Sequence, residues 1–126
     1  MAAPPDPETR LQTVLDVLDD PDCRALLRTL HATPERSRQE LAEACALART
    51  TAYRKVDRLV EADLVRPTTE LRDDGHHTTR YVVAFDGVTV SLDEDSEFSV
   101  DVARPEPPDS PDERLARYWR AMRESR

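Results

Sequence analysis

Residues 37–65, SRQELAEACALARTTAYRKVDRLVEADLV, decide the fold of this 126-residue chain. Ser37 followed three positions later by Glu40 is a capping box, in which each residue satisfies a backbone N–H that the helix start leaves without a partner. It predicts a short helix through about Cys45 that turns Leu41, Ala42 and Cys45 inward. The connection Ala46-Leu47-Ala48 leads into a second helix from Arg49 to about Glu61, with Ala52, Val56, Leu59 and Val60 on its apolar face. Asp63 stands where that helix must stop, because aspartate tolerates the left-handed backbone that glycine usually supplies at such a point.

The rest of the pattern frames this pair. Residues 1–8 carry three prolines and read as a loose arm. A helix is expected from about Thr9 to Leu18, with Leu11, Val14, Leu15 and Leu18 at helical spacing. Asp20-Pro21 reads as a cap and a first-turn proline, opening a second helix to about His31 that buries Leu26, Leu27 and Leu30. After Asp63 the period changes from 3.6 to 2. Leu64–Leu71 and Thr78–Phe85 read as paired strands around the turn signal Asp74-Gly75. A second hairpin is expected from Val88, Val90 and Leu92, through an acidic turn at 93–96, to Phe98, Val100 and Val102. Residues 104–110 form a proline-rich linker, and 111–126 a last helix with Leu115, Tyr118, Trp119 and Met122 on one face. One domain covering 9–103 is expected, of α+β class: a winged helix-turn-helix with an extra C-terminal hairpin and a terminal helix.

Charge is distributed unevenly. The net charge is −8 with 35% of residues charged, and Lys55 is the single lysine among 18 basic residues. That composition fits either a salt-rich cytoplasm, where screening tolerates carboxylate crowding, or an acidic protein from a GC-rich genome. Binding a polyanion needs local positive charge. From Arg36 to Val60 there are six basic residues against three acidic ones, whereas from Asp86 to Glu113 there are ten acidic residues against Arg104 alone. One end of the molecule can approach phosphate and the other repels it. The outer side of the 49–61 helix is rich in donors: Arg49, Thr50, Thr51, Tyr53, Arg54 and Arg58 suit base edges and phosphates. Arg38 and Lys55 join them as backbone contacts. A solvated face with pairs such as Arg54–Asp57 or Arg58–Glu61 is the plain alternative. Against it stands the absence of any carboxylate from Arg49 to Val56.

The run from Gln39 to Val65 resembles the winged helix of ArsR-like and MarR-like regulators, in particular the short type common in halophilic archaea. The residues that carry the likeness are Ala48-Arg49-Thr50-Thr51-Ala52-Tyr53-Arg54 and Glu61-Ala62-Asp63-Leu64-Val65. Ala46, Ala48 and Asp63 depart from it, standing where the pattern has glycine, serine and glycine. The resemblance implies a homodimeric transcriptional regulator that reads double-stranded DNA with Arg49, Thr50, Thr51, Tyr53 and Arg54. It also implies pairing of subunits through the terminal helix (Leu115, Tyr118, Trp119, Met122), with Leu11 and Leu15 alongside. Arg72, His76 and His77 at the tip of the first hairpin are candidate wing contacts, although Asp73 and Asp74 oppose deep insertion.

Other chemistries find little support. Cys23 and Cys45 lie far apart in sequence, and the side chains of His76 and His77 point apart on a strand, so no metal is expected. Cys23, in the first turn of a helix and beside Arg24, is a candidate redox thiol. Asp20 and Asp22 act against that, and an ordinary half-buried residue is the alternative. Cys45 reads as core. With Gly75 and Gly87 as the only glycines, no phosphate loop can form, and neither an enzyme nor a cofactor is expected. No apolar run approaches the roughly 20 residues that span a bilayer, nor does 1–10 read as a secretory signal, so a cytoplasmic protein is expected. Acidity leaves open a protein-interaction module of the same fold that binds no DNA.

Overall fold

The computed structural model describes residues 6–71 and 77–105. The hairpin tip at 72–76, most of the linker and the helix expected at 111–126 lie outside the described residues. Four helices come first: α1 (Pro7–Asp19), α2 (Pro21–Ala32), α3 (Arg38–Ala44) and α4 (Arg49–Glu61). Four strands follow: β1 (Val65–Leu71), β2 (His77–Val83), β3 (Gly87–Leu92) and β4 (Phe98–Ala103). They pair as two antiparallel two-stranded sheets, β1 with β2 and β3 with β4. This is the expected α+β winged helix-turn-helix with an added hairpin.

Caps set the helix boundaries. Asp6 accepts a 2.7 Å bond from the Thr9 N–H, and Pro7 fills the first turn. The helix therefore starts ahead of Thr9 and draws Pro7 and Glu8 out of the expected arm. Asp20 ends α1 and caps α2, its side chain accepting from the Asp22 N–H at 2.9 Å, with Pro21 next. Both halves of the Ser37–Glu40 capping box are formed. Two further caps use a left-handed residue that is not glycine. Ala46 has φ 54° and Asp63 φ 62°. Around Ala46, the Leu47 N–H reaches back to the Ala42 carbonyl at 2.9 Å; around Asp63, the Leu64 N–H reaches the Leu59 carbonyl at 3.1 Å. Both are Schellman closures, which satisfy carbonyls that a helix end otherwise leaves open.

The core joins all four helices to the sheets. Leu26 and Leu30 of α2, Leu41 of α3, Val56 and Leu59 of α4, Leu64 and Tyr81 are buried together. Removing each such side chain from water contributes about 1.5–3 kcal/mol. The β1–β2 register runs from Val65 opposite Val83 to Leu71 opposite His77. The strand pair is stitched to the turn before α3, where the Tyr81 N–H donates to the Arg36 carbonyl at 2.9 Å and the Glu35 N–H to the Tyr81 carbonyl at 3.1 Å. That stitch fixes the wing to the helix-turn-helix.

The second hairpin closes as expected at 93–96, where Asp93 Oδ1 accepts from the N–H groups of Asp95 and Glu97. It packs on α1 through β4, and Val102 joins Val14 and Val17 in the core. Leu11 of α1 is 9% exposed, which leaves little of it for the subunit contact expected from the sequence. Leu15 is 43% exposed, and toward the hairpin's far end Val90, Leu92 and Phe98 are 47%, 59% and 44% exposed.

Candidate nucleic-acid interface

The helix pair of the site is locked by small and apolar contacts. Leu41 and Ala42 of α3 and Ala52 and Val56 of α4 are all buried, and the Ala46 turn between them is closed by backbone bonds. This rigid pair presents the opposite side of α4 to solvent. Arg49, Thr50 and Arg54 are exposed, and Thr51 and Tyr53 flank them half-buried. Ala48, at the cap, offers no side-chain acceptor, and the first turn contains no acidic residue. Its leading N–H groups and the positive end of the helix dipole therefore remain available to an anion.

Arg38 organises the flank of that surface. Its Nε donates a 2.6 Å bond to the Tyr81 hydroxyl, and a second nitrogen lies 3.1 Å from Asp57 Oδ1. The guanidinium also lies over the Tyr53 ring at 5.7 Å and the Tyr81 ring at 5.5 Å. The Tyr81 bond raises the Arg38 pKa, so the group is a permanent cation between two aromatic faces. Asp57, the carboxylate on the exposed part of α4 nearest the donors, is thereby neutralised by Arg38. The sequence gives no signal for this cluster, because Tyr81 is forty-odd positions away and meets Arg38 only through the fold.

Lys55 is placed differently from expectation. Its Nζ is 2.7 Å from Asp22 Oδ2 and 2.9 Å from Asp20 Oδ2, and its side chain is only 12% exposed. The helical period turns it toward α2 rather than toward solvent, so it pins α4 to the start of α2. Arg58 lies nearby, 3.8 Å from Asp20, and stays 40% exposed. Neither solvated pair considered from the sequence is the one formed: Arg58 turns to Asp20, and Asp57 to Arg38.

Cys23 is also corrected. Helix start and neighbouring arginine pointed to an activated thiol, but the side chain is fully buried. Burial and the Asp20 carboxylate push its pKa up to about 11, outweighing Arg58 and Lys55. It is a core residue. Cys45 packs half-buried against the core, 3.4 Å from the Thr29 hydroxyl. Of the wing candidates, Arg72 and His76 lie outside the described residues, as do Leu115, Tyr118, Trp119 and Met122; His77 opens β2. No helix among the described residues is long and apolar enough to cross a membrane.

With this geometry in view, the comparisons with known proteins fall on the same segment. Residues 18–68, from the end of α1 through α4 into β1, match a family model. That model describes a helix-turn-helix domain. The match spans less than half of the chain and takes in the α3–α4 pair with the helix packed behind it. Among solved structures, a possible transcriptional regulator from Methanosarcina mazei Go1 is similar at 18% identity and a TM-score of 0.44. The similarity covers 57% of this chain and 62% of that one. No curated protein matches the sequence. The helix-turn-helix reading thus rests on the matched segment and on the arrangement of its side chains.

Proposed function

We propose that this chain is a DNA-binding transcriptional regulator of the ArsR-like or MarR-like type, which lays α4 in the major groove. Arg49 and Arg54 reach base edges, while Thr50, Thr51, Tyr53 and Arg58 hold the phosphate backbone beside the exposed start of the helix. Arg38 acts from behind, steadying Tyr53 and occupying Asp57. At the wing, Arg72, His76 and His77 lie along the backbone. Lys55 has no part in this list because Asp20 and Asp22 hold it. The chain works as a homodimer, so that two recognition helices meet successive grooves about one turn apart.

One observation carries the reading. In a molecule of net charge −8, the exposed start of α4 has no carboxylate, and the first one along the helix is paired with Arg38. The test is a fluorescence-anisotropy titration of genomic fragments, and of a site selected from them, at several salt concentrations. Saturable binding that weakens linearly with the logarithm of salt is expected. Arg54→Ala is expected to weaken the selected site by about 1–3 kcal/mol while changing bulk DNA much less. Absence of saturation at every salt concentration would mean a helix-turn-helix used for protein contacts instead.

A further inference from the structure

The exposed apolar row at the far end of the second hairpin is not explained by DNA binding. Val90 and Leu92 lie on the same face of β3, and Leu92 stands directly opposite Phe98. All three are more than two-fifths exposed, as is Leu15 of α1. Adjacent exposed apolar side chains of this size, ringed by charge, mark a contact surface. The ring here has one sign: from Asp86 to Ala103 there are six carboxylates and no lysine or arginine.

The same chain contains the complement of that surface. From Arg114 to Arg126 there are five arginines against Glu124 alone. At the helical spacing read from the sequence, Leu115, Tyr118, Trp119 and Met122 form one apolar stripe with Arg114 and Arg123 at its two edges. Apolar row meets apolar stripe, and acid meets base.

The exit of the chain bears on which copy supplies the stripe. β4 ends at the hairpin base, where Gly87 opposes Ala103, at the other end from Leu92 and Phe98. Arg104 is tied there to the Asp63 and Ala84 carbonyls, and Pro105 lines a cleft between α2 and the wing base together with Leu27, Leu30 and Phe85. Residues 107, 108 and 111 are prolines, a composition that favours a stiff, extended spacer of about 3.1 Å per residue. Two bare copies of so acidic a body would also repel, whereas exchanged basic segments attract each other's hairpin.

We infer that residues 111–126 of a second copy dock on the β3–β4 hairpin, with the Leu115–Met122 stripe against Val90, Leu92 and Phe98, and that the reciprocal contact completes a two-fold dimer. This rests on the homodimer proposed above and assigns its surface.

Trp119 is the only tryptophan and reports the contact directly. In the full chain, dilution is expected to shift Trp119 emission to the red in step with the fall from dimer to monomer mass in sedimentation. The decisive experiment uses two charge-reversed chains, Glu94→Arg with Glu97→Arg on the hairpin, and Arg114→Glu with Arg123→Glu in the tail. Each alone is expected to need at least tenfold higher concentration to dimerise, with an unchanged far-ultraviolet dichroism spectrum per chain. Mixing the two is expected to restore both dimer mass and the blue-shifted emission, because in the mixed dimer both contacts are complementary. Blue-shifted Trp119 at monomer mass would place the segment on its own hairpin and overturn the inference. A parent that stays monomeric with solvated Trp119, a dimer indifferent to both variants, or variants that are not rescued by mixing would each overturn it too. None of these substitutions touches α4, so failure here leaves the DNA titration to be judged by itself.

Discussion

The Nε of Arg38 donates a 2.6 Å hydrogen bond to the hydroxyl of Tyr81, which lies in the core at 2% exposure. One end of that bond is on α3, the helix before α4, and the other is on β2. Replacing the hydroxyl alone, in Tyr81→Phe, keeps the ring under the guanidinium but removes the acceptor. A loss of about 1–2 kcal/mol in urea unfolding is expected. A several-fold loss in DNA affinity is also expected, because Arg38 then holds Tyr53 and Asp57 less firmly. Unfolding and titration of this one variant check both effects.

Lys55 is expected to matter for stability rather than for DNA affinity. Lys55→Met leaves Asp20 and Asp22 without their cation in a half-buried place, at a cost of about 1–3 kcal/mol. Acid unfolding should carry the same signature. Burial would raise the Asp20 pKa, but the Lys55 hydrogen bond and the Asp22 and Cys23 N–H groups override it and bring it below 3.8. A carboxylate depressed in the folded state contributes stability above its unfolded pKa and loses it as pH falls through the folded value. The parent should therefore lose stability on the acid side of pH 3.8, and the variant should show a shallower loss over that range. Equal slopes in urea titrations between pH 5 and 2 would exclude this role.

Ala46→Gly is expected to stabilise the protein. At φ 54° alanine is held in a left-handed conformation that costs a residue with a Cβ roughly 1 kcal/mol, and glycine adopts it freely. Because Ala46 is exposed, no packing is lost. A gain of about 0.5–1 kcal/mol is expected in urea unfolding, with the DNA titration unchanged. Asp63→Gly should gain less, since Asp63 also faces Arg10 at 3.6 Å and Arg104 at 3.8 Å.

The two cysteines should separate cleanly in thiol labelling. Cys23 is fully buried and its pKa is pushed up to about 11, whereas Cys45 is half-buried. In native protein at pH 8 one equivalent of reagent is expected to react, at Cys45. Cys23 should react only on unfolding. Rapid labelling of Cys23, read by peptide mass, would contradict the burial.

Local signals account for what was legible in the sequence. The bounds of α4, the capping box, the Asp93 turn and the left-handed Asp63 each depend on residues within a turn of one another. Lys55 was misplaced for the opposite reason. Its partners, Asp20 and Asp22, lie on an element distant in sequence, and periodicity cannot say which neighbour a cation at the edge of a helix will meet. Cys23 failed on sign. Helix start and arginine lower a thiol pKa while burial raises it, and only packing reveals that burial wins. Of the candidate site, the exposed donors Arg49, Thr50 and Arg54 could be read from periodicity, but the Arg38–Tyr81–Tyr53 cluster could not.

The position of Lys55 has a last consequence. It is the single lysine of the sequence, and it is enclosed at 12% exposure between two aspartates. The outer positive charge of the body is therefore carried by guanidinium groups, which keep their proton at any physiological pH and are not substrates for amine acylation. Lysine acetylation, a common way to release a protein from DNA, has no exposed side-chain amine to modify here.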